Sequence, residues 1–183
     1  MARLSSLAVD PLVPLELLEA VRDADRPDGA AEAEYVPELL NKRLGTTDTV
    51  YTQIRRYSEA VRRGEAIPTG EVAGLARLIA RRPDAESVFR EAGRAVSRSA
   101  FLTLSRPRRA MIRFLPGVLA RRLARGAARR LAARYLGARL RRVGNTFTLE
   151  HVVPPAFGAD TGAAGVAFYD AARHELLTLL ALA

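Results

Sequence analysis

A chain of 183 residues, 49% hydrophobic but only 6% aromatic, holds enough apolar material for one compact domain. Its alanine- and leucine-rich mix favours helices over a β-sandwich. The chain has no cysteine, which excludes disulfides, zinc ribbons, iron–sulfur clusters and thiol nucleophiles. The formal net charge of +9 is one block: residues 92–149 hold fifteen arginines and no acid, whereas 1–91 and 150–183 are each net −3.

Taken in order, residues 1–13 read as an irregular arm. Asp10, Pro11 and Pro14 interrupt any apolar stretch, so no signal peptide is read there. No run reaches the roughly 18 apolar residues that a spanning helix needs. Pro14 suits the first turn of a short helix to Arg22 with Leu15, Leu18 and Val21 on one side. The acidic stretch 23–34, with Pro27 and Gly29, reads as a loop, and a second short helix spans Pro37–Leu44 before Gly45. Residues 1–45 are thus an acidic arm with short helices, ahead of a helical α+β domain over 46–183.

In that domain Asp48 is placed as an N-cap for a helix to Arg63, with Val50, Ile54, Tyr57 and Val61 on the buried face and Gly64 as the stop. Thr69 is placed as the cap of a helix from Gly70 to Arg82, burying Val72, Leu75, Leu78 and Ile79. Pro83-Asp84 restarts the chain into a helix from Ala85 to about Leu104 carrying Val88, Phe89, Ala92, Val96 and Phe101.

Arg106-Pro107 opens the basic block, and Pro116-Gly117 kinks or splits it. The spacing of Leu115, Leu119, Leu123, Ala127, Leu131, Tyr135 and Ala138 predicts one long amphipathic helix from Gly117 to Val143. Arg141 and Arg142 would then compensate its dipole, and Gly144-Asn145 would end it. Alternation over Thr146–Val153 gives the one clear strand, with Phe147, Leu149, His151 and Val153 on one face. Pro154-Pro155 ends it, and residues 158–165 form a loop. A last helix, Val166 to about Leu180, buries Val166, Tyr169, Leu176, Leu177 and Leu180. The expected fold class is α+β, mostly helical, with helices packed on a small antiparallel sheet.

The residues after the kink resemble a known family. A helix reaching RRVGN, a strand TFTLEH, a polar loop and GVAFYDAARHELLTLL occur in the order of the 4-vinyl-reductase-type domains, bacterial relatives of the TRAPP-subunit fold. The upstream VFREAGRAV, Val88 to Val96, also resembles their early helix, in which a glycine follows an amphipathic turn. The resemblance covers about residues 84–183. It implies an α+β domain that holds a small apolar or tetrapyrrole-like ligand or acts as an adaptor. Many such domains carry cysteines around the terminal helix, where this chain has Val166, so no cysteine-dependent metal or cofactor role carries over. No cofactor is read from the sequence.

Two sets of residues are candidates for binding. Phe89, Phe101, Tyr135, Phe147, His151, Phe168 and Tyr169 are few enough to meet, either as ordinary core or around an apolar ligand. Arg121, Arg122, Arg125, Arg129, Arg130 and Arg134 form an anion-facing stripe. That stripe suits an anionic membrane, the chain's own acidic arm or an acidic partner protein, or nucleic-acid phosphates, and it also suits a solvated face over apolar stems. His174-Glu175 has no second histidine at the spacing of a zinc protease, no phosphate-loop or dinucleotide signature occurs, and Ser97, Ser99 and Ser105 sit in no nucleophile elbow. No catalytic or metal residue is therefore named. The leading expectation is a cytoplasmic, non-enzymatic binding or adaptor protein, peripheral to a membrane or on an acidic partner, with an apolar small-molecule pocket. The alternative is a nucleic-acid-binding protein. Homodimerisation is expected because a domain with few strands can complete its sheet across a symmetry axis.

Overall fold

The computed structural model describes residues 8–25, 47–144, 146–151, 157 and 159–182. A two-residue strand β1 (Ala8–Val9) leads into α1 (Leu12–Ala24). Next come α2 (Thr47–Arg63), the short strand β2 (Ile67–Pro68), α3 (Thr69–Ile79) and α4 (Ala85–Leu102). The basic block forms α5 (Arg106–Phe114), α6 (Gly117–Tyr135) and strand β3 (Ala138–Val143). Strand β4 (Thr146–His151), a 3-10 turn at Ala159–Thr161 and α7 (Gly162–Leu179) follow. Strands pair antiparallel as β1–β2 and β3–β4, so the mostly helical α+β class is as expected.

The molecule is built around α4. Val88, Phe89, Ala92, Val96 and Ala100 recur at helical spacing and are buried. Gly93 lies on the side facing α7, where a β-carbon would stand 2.3 Å from the carbonyl oxygen of Phe168. Absence of that carbon is what lets the two backbones touch. One turn on, the Ser97 hydroxyl donates to the Ala172 carbonyl at 2.7 Å. Further along, Arg98 donates to Glu175 at 3.0 Å. Gly93 and Ser97 thus meet the α7 backbone at Phe168 and Ala172 along one seam between α4 and α7.

On another side α4 receives α1. Leu17 is fully buried and Val13 and Leu18 nearly so, so the N-terminal segment from residue 8 contributes to the core. The Arg82 guanidinium donates to Asp25 at 2.6 and 3.0 Å and to Asp84 at 2.8 and 2.9 Å, tying the end of α1 to the turn between α3 and α4. Hydrogen bonds from Arg82 hold the Asp84 carboxyl below the usual carboxylate range. Across α2 and α3, Tyr57 donates to Glu71 at 2.8 Å, with Arg56 chelating the same carboxylate. Burial pushes Glu71 up, but those hydrogen bonds outweigh it and leave its pKa lowered.

Glu16 is the opposite case. It accepts a hydrogen bond from Ser99 at 2.7 Å, yet burial, the larger influence, pushes its carboxyl above the usual range. A carboxyl whose pKa rises on folding costs stability while it is charged, and the cost vanishes as the pH falls below both its folded and unfolded values. Glu16→Gln keeps an acceptor for Ser99 and removes the charge. It is expected to raise the urea midpoint at neutral pH, with the advantage shrinking as the pH falls through the folded-state pKa of Glu16. An advantage of constant size from neutral to acid pH would show that the charge is not its source.

Several expectations are corrected. The long helix over 117–143 stops at Tyr135, and 138–143 is a strand. Gly137, at φ 61°, turns the chain out of α6 where a residue with a β-carbon would be strained. Arg141 and Arg142 therefore lie on β3 rather than at a helix end, and Thr146–His151 is one of four strands among the described residues. Asp48 lies inside α2 and Thr69 inside α3, whose cap position is Pro68. Leu78 is 63% exposed and Leu119 53% exposed, not inward-facing, and Val61 lies at the surface. The last helix starts at Gly162, within the stretch expected to be a loop, and Val166 is exposed. Residues 8–9 and 12–13, expected to be irregular, are strand and helix. The expected helix Pro37–Leu44 and the end of the strand at Val153 lie outside the described residues.

Candidate anion-facing surface

The register of the β3–β4 hairpin decides which side chains share a face. Ala138 pairs with His151, Leu140 with Leu149 and Arg142 with Phe147. Ala138 and Leu140 are buried and Phe147 and Leu149 partly buried, so this face lies toward the core. The other face carries Arg139, and Arg141 donates to Glu150 at 3.0 Å. At the far end of the hairpin His151, exposed rather than in the core, stands edge-on to Tyr169 with ring centroids 4.4 Å apart. Partial burial of its ring lowers the His151 pKa, so the imidazole stays neutral over a wider pH range.

Four of the seven expected ligand-lining residues do come together. Phe168 packs edge-on against Tyr169 at 5.2 Å, and His151 joins through Tyr169. Phe89 joins through Phe157, whose ring lies 5.3 Å from Phe89 and 4.6 Å from Phe168. Phe157 was not among the candidates, since it follows a double proline outside any periodic stretch. Its ring sits between those of Phe89 and Phe168, and all three are almost fully buried. These rings pack on one another as a core does. Phe101, Tyr135 and Phe147 make no ring contact with this cluster among the described residues. Phe101 is partly buried at the far end of α4, and Tyr135 is buried at the end of α6 under the Arg134 guanidinium, 5.1 Å away.

The arginine stripe splits in the same way. Arg121, Arg122, Arg129, Arg130 and Arg134 are exposed on α6, while Arg125 is partly buried with its Nε unpaired. Arg134 reaches Asp10 at 3.3 Å. No other arginine of α5 or α6 has an acidic partner among the described residues. Elsewhere most described arginines pair with a carboxylate, among them Arg56, Arg77, Arg82, Arg90, Arg94 and Arg98, whereas Arg55, Arg62, Arg81 and Arg139 have no acidic partner among the described residues.

Large apolar side chains also lie outside on this part of the chain. Phe114 is 78% exposed, Val118 83%, Leu119 53% and Met111 47%. They lie on either side of the Pro116-Gly117 break, at the end of α5 and the start of α6, an apolar corner flanked along the chain by Arg113, Arg121 and Arg122. Sequence reasoning placed the anion stripe on α6 alone. It missed the corner because Leu119 fits an inward helical stripe and the spacing assigns Met111, Phe114 and Val118 no face. No described helix is long and apolar enough to cross a membrane. The described residues contain no cluster of three or more histidine or carboxylate groups placed to hold a metal ion. No family model matches the chain, and no curated protein or solved structure shows significant similarity to it.

Proposed function

We propose that the chain is a non-enzymatic binding protein that docks on an anionic membrane surface through the α5–α6 corner. The observation that carries this is the coincidence of four exposed large apolar side chains with arginines that lack acidic partners among the described residues. Either feature alone has an ordinary explanation. Scattered apolar residues are common on protein surfaces, and arginine stems cover apolar ground in solvated helices. Together they match a helix lying in the headgroup region, with its apolar side toward the acyl chains and guanidiniums at the phosphates. Nucleic acid would use the arginines but would leave Phe114 and Val118 in water. The adaptor character is supported only by the likeness of residues 84–183 to 4-vinyl-reductase-type domains.

The test is flotation of the full chain with phosphatidylcholine vesicles, with and without phosphatidylglycerol, over a salt series. Recovery in the floating fraction is expected only with the anionic lipid and should fall as salt rises. No flotation on anionic vesicles would overturn the reading. Salt-sensitive retention of DNA or RNA on filters in its place would replace it with the nucleic-acid reading.

A further inference from the structure

A cleft of about 620 Å³ opens between α5 and the C-terminal end of α7. Its apolar floor is formed by Phe101, Ile112 and Leu179, and its mouth by Arg106, Arg109 and Arg113. Those three arginines are spaced i, i+3 and i+7, which places them on one face of α5. Among the described residues no carboxylate lines the cleft, and none of the three arginines has an ion-pair partner. Arg109 is held against the Phe101 ring, 6.0 Å from its centroid. The first turn of α5 contains no acid, so the positive end of its dipole adds to the same field.

From this we infer that the cleft binds one molecule of an anionic amphiphile, an alkyl or acyl chain ending in a phosphate or carboxylate. Like charges three and four residues apart on a helix repel, and one anion set among them turns that repulsion into attraction. A bare anion would satisfy the guanidiniums and leave the floor wet. A neutral chain would cover the floor and leave the arginines unrelieved. Only a ligand with both parts uses the whole site. The inference rests on the reading of α5 as an anion-facing helix but asks more of it: a single saturable place for a dissolved molecule, distinct from adhesion to a surface.

The test is isothermal titration of the full chain with monomeric decyl phosphate below its micelle threshold, beside decanol and inorganic phosphate. One site is expected for decyl phosphate, with each half-ligand about tenfold weaker or worse. Arg109→Gln should weaken decyl phosphate by about tenfold and decanol hardly at all. Ala110→Trp puts a ring at an exposed helical position on the wall of the cleft, and should block decyl phosphate while sparing vesicle flotation. Equal affinity for decyl phosphate and inorganic phosphate, or binding untouched by both variants, would overturn the inference. A chain that floats with anionic vesicles yet ignores monomeric decyl phosphate would overturn the cleft and leave the membrane reading standing. A chain that binds the monomer at one site and does not float would do the reverse.

Discussion

Gly93→Ala is expected to destabilise the chain by about 3 kcal/mol, read as a lower urea midpoint with an unchanged slope. Helix propensity points the other way. Alanine in place of glycine in the middle of an 18-residue helix should stabilise it by about 1 kcal/mol. Packing decides the sign. The added carbon would lie 2.3 Å from the Phe168 carbonyl oxygen, 3.1 Å from its carbon and 3.2 Å from the Ala172 nitrogen. All three are backbone atoms of α7, so no side chain can swing aside. The helices would have to separate by roughly an ångström, the order of the shortfall from ordinary contact at about 3.5 Å. That separation would also stretch the Ser97 hydrogen bond to Ala172 and loosen Val96, Phe168 and Leu176, each at most 2% exposed. Gly74 in α3 has open space around its would-be β-carbon and serves as the control. Gly74→Ala should be neutral or stabilising. If Gly93→Ala matched it, α4 and α7 would not lie at the separation described here.

The seam at Gly93 shows where sequence reasoning stops. Periodicity located α2, α3 and α4 because apolar residues recur once per turn and each run ends at Gly64, Arg82-Pro83 or the turn before Arg106. It could not say that Gly93 faces another backbone, since a missing side chain leaves no mark in a hydrophobic pattern. The end of α6 was misread for a different reason. Leu131, Tyr135 and Ala138 continue a helical stripe, and the same residues fit a helix that stops. The competing signal was present: Ala138-Arg139-Leu140-Arg141 alternates, Gly137 precedes it, and Gly144-Asn145 is a dipeptide of the kind that favours a hairpin turn. The charge block drew a single helix across a change of period. At the binding surface the arginines were legible by count, but not which lacked partners, because ion pairs such as Arg77 with Asp160 join residues 83 apart. The outward direction of Phe114 and Val118 was illegible as well. Their spacing assigns them no face, and only their exposure in the folded chain does.

Phe114→Asp combined with Val118→Asp is expected to abolish flotation on anionic vesicles while leaving the urea midpoint within about 0.5 kcal/mol of the parent. Both side chains are already in water in the folded chain, at 78% and 83% exposure, so little packing is lost. Transferring a phenylalanine and a valine from water into the acyl boundary is worth about 3 to 5 kcal/mol together, a factor of roughly a hundred to a few thousand in partition. Two added carboxylates oppose the anionic surface as well. The arginines act through a separate and screened force. Replacing Arg113, Arg121 and Arg122 by glutamine should remove about 1 kcal/mol each at low ionic strength, and much less at high salt. The two sets of variants thus have different signatures. The aspartate pair should lose binding at every salt concentration. The glutamine triple should lose mainly the preference for anionic over neutral lipid, and should converge on the parent as salt rises. An aspartate pair that floats as well as the parent would mean that the apolar corner stays in water on the vesicle. The arginines alone would then hold the chain there, and the docking geometry proposed for the end of α5 would have to be abandoned.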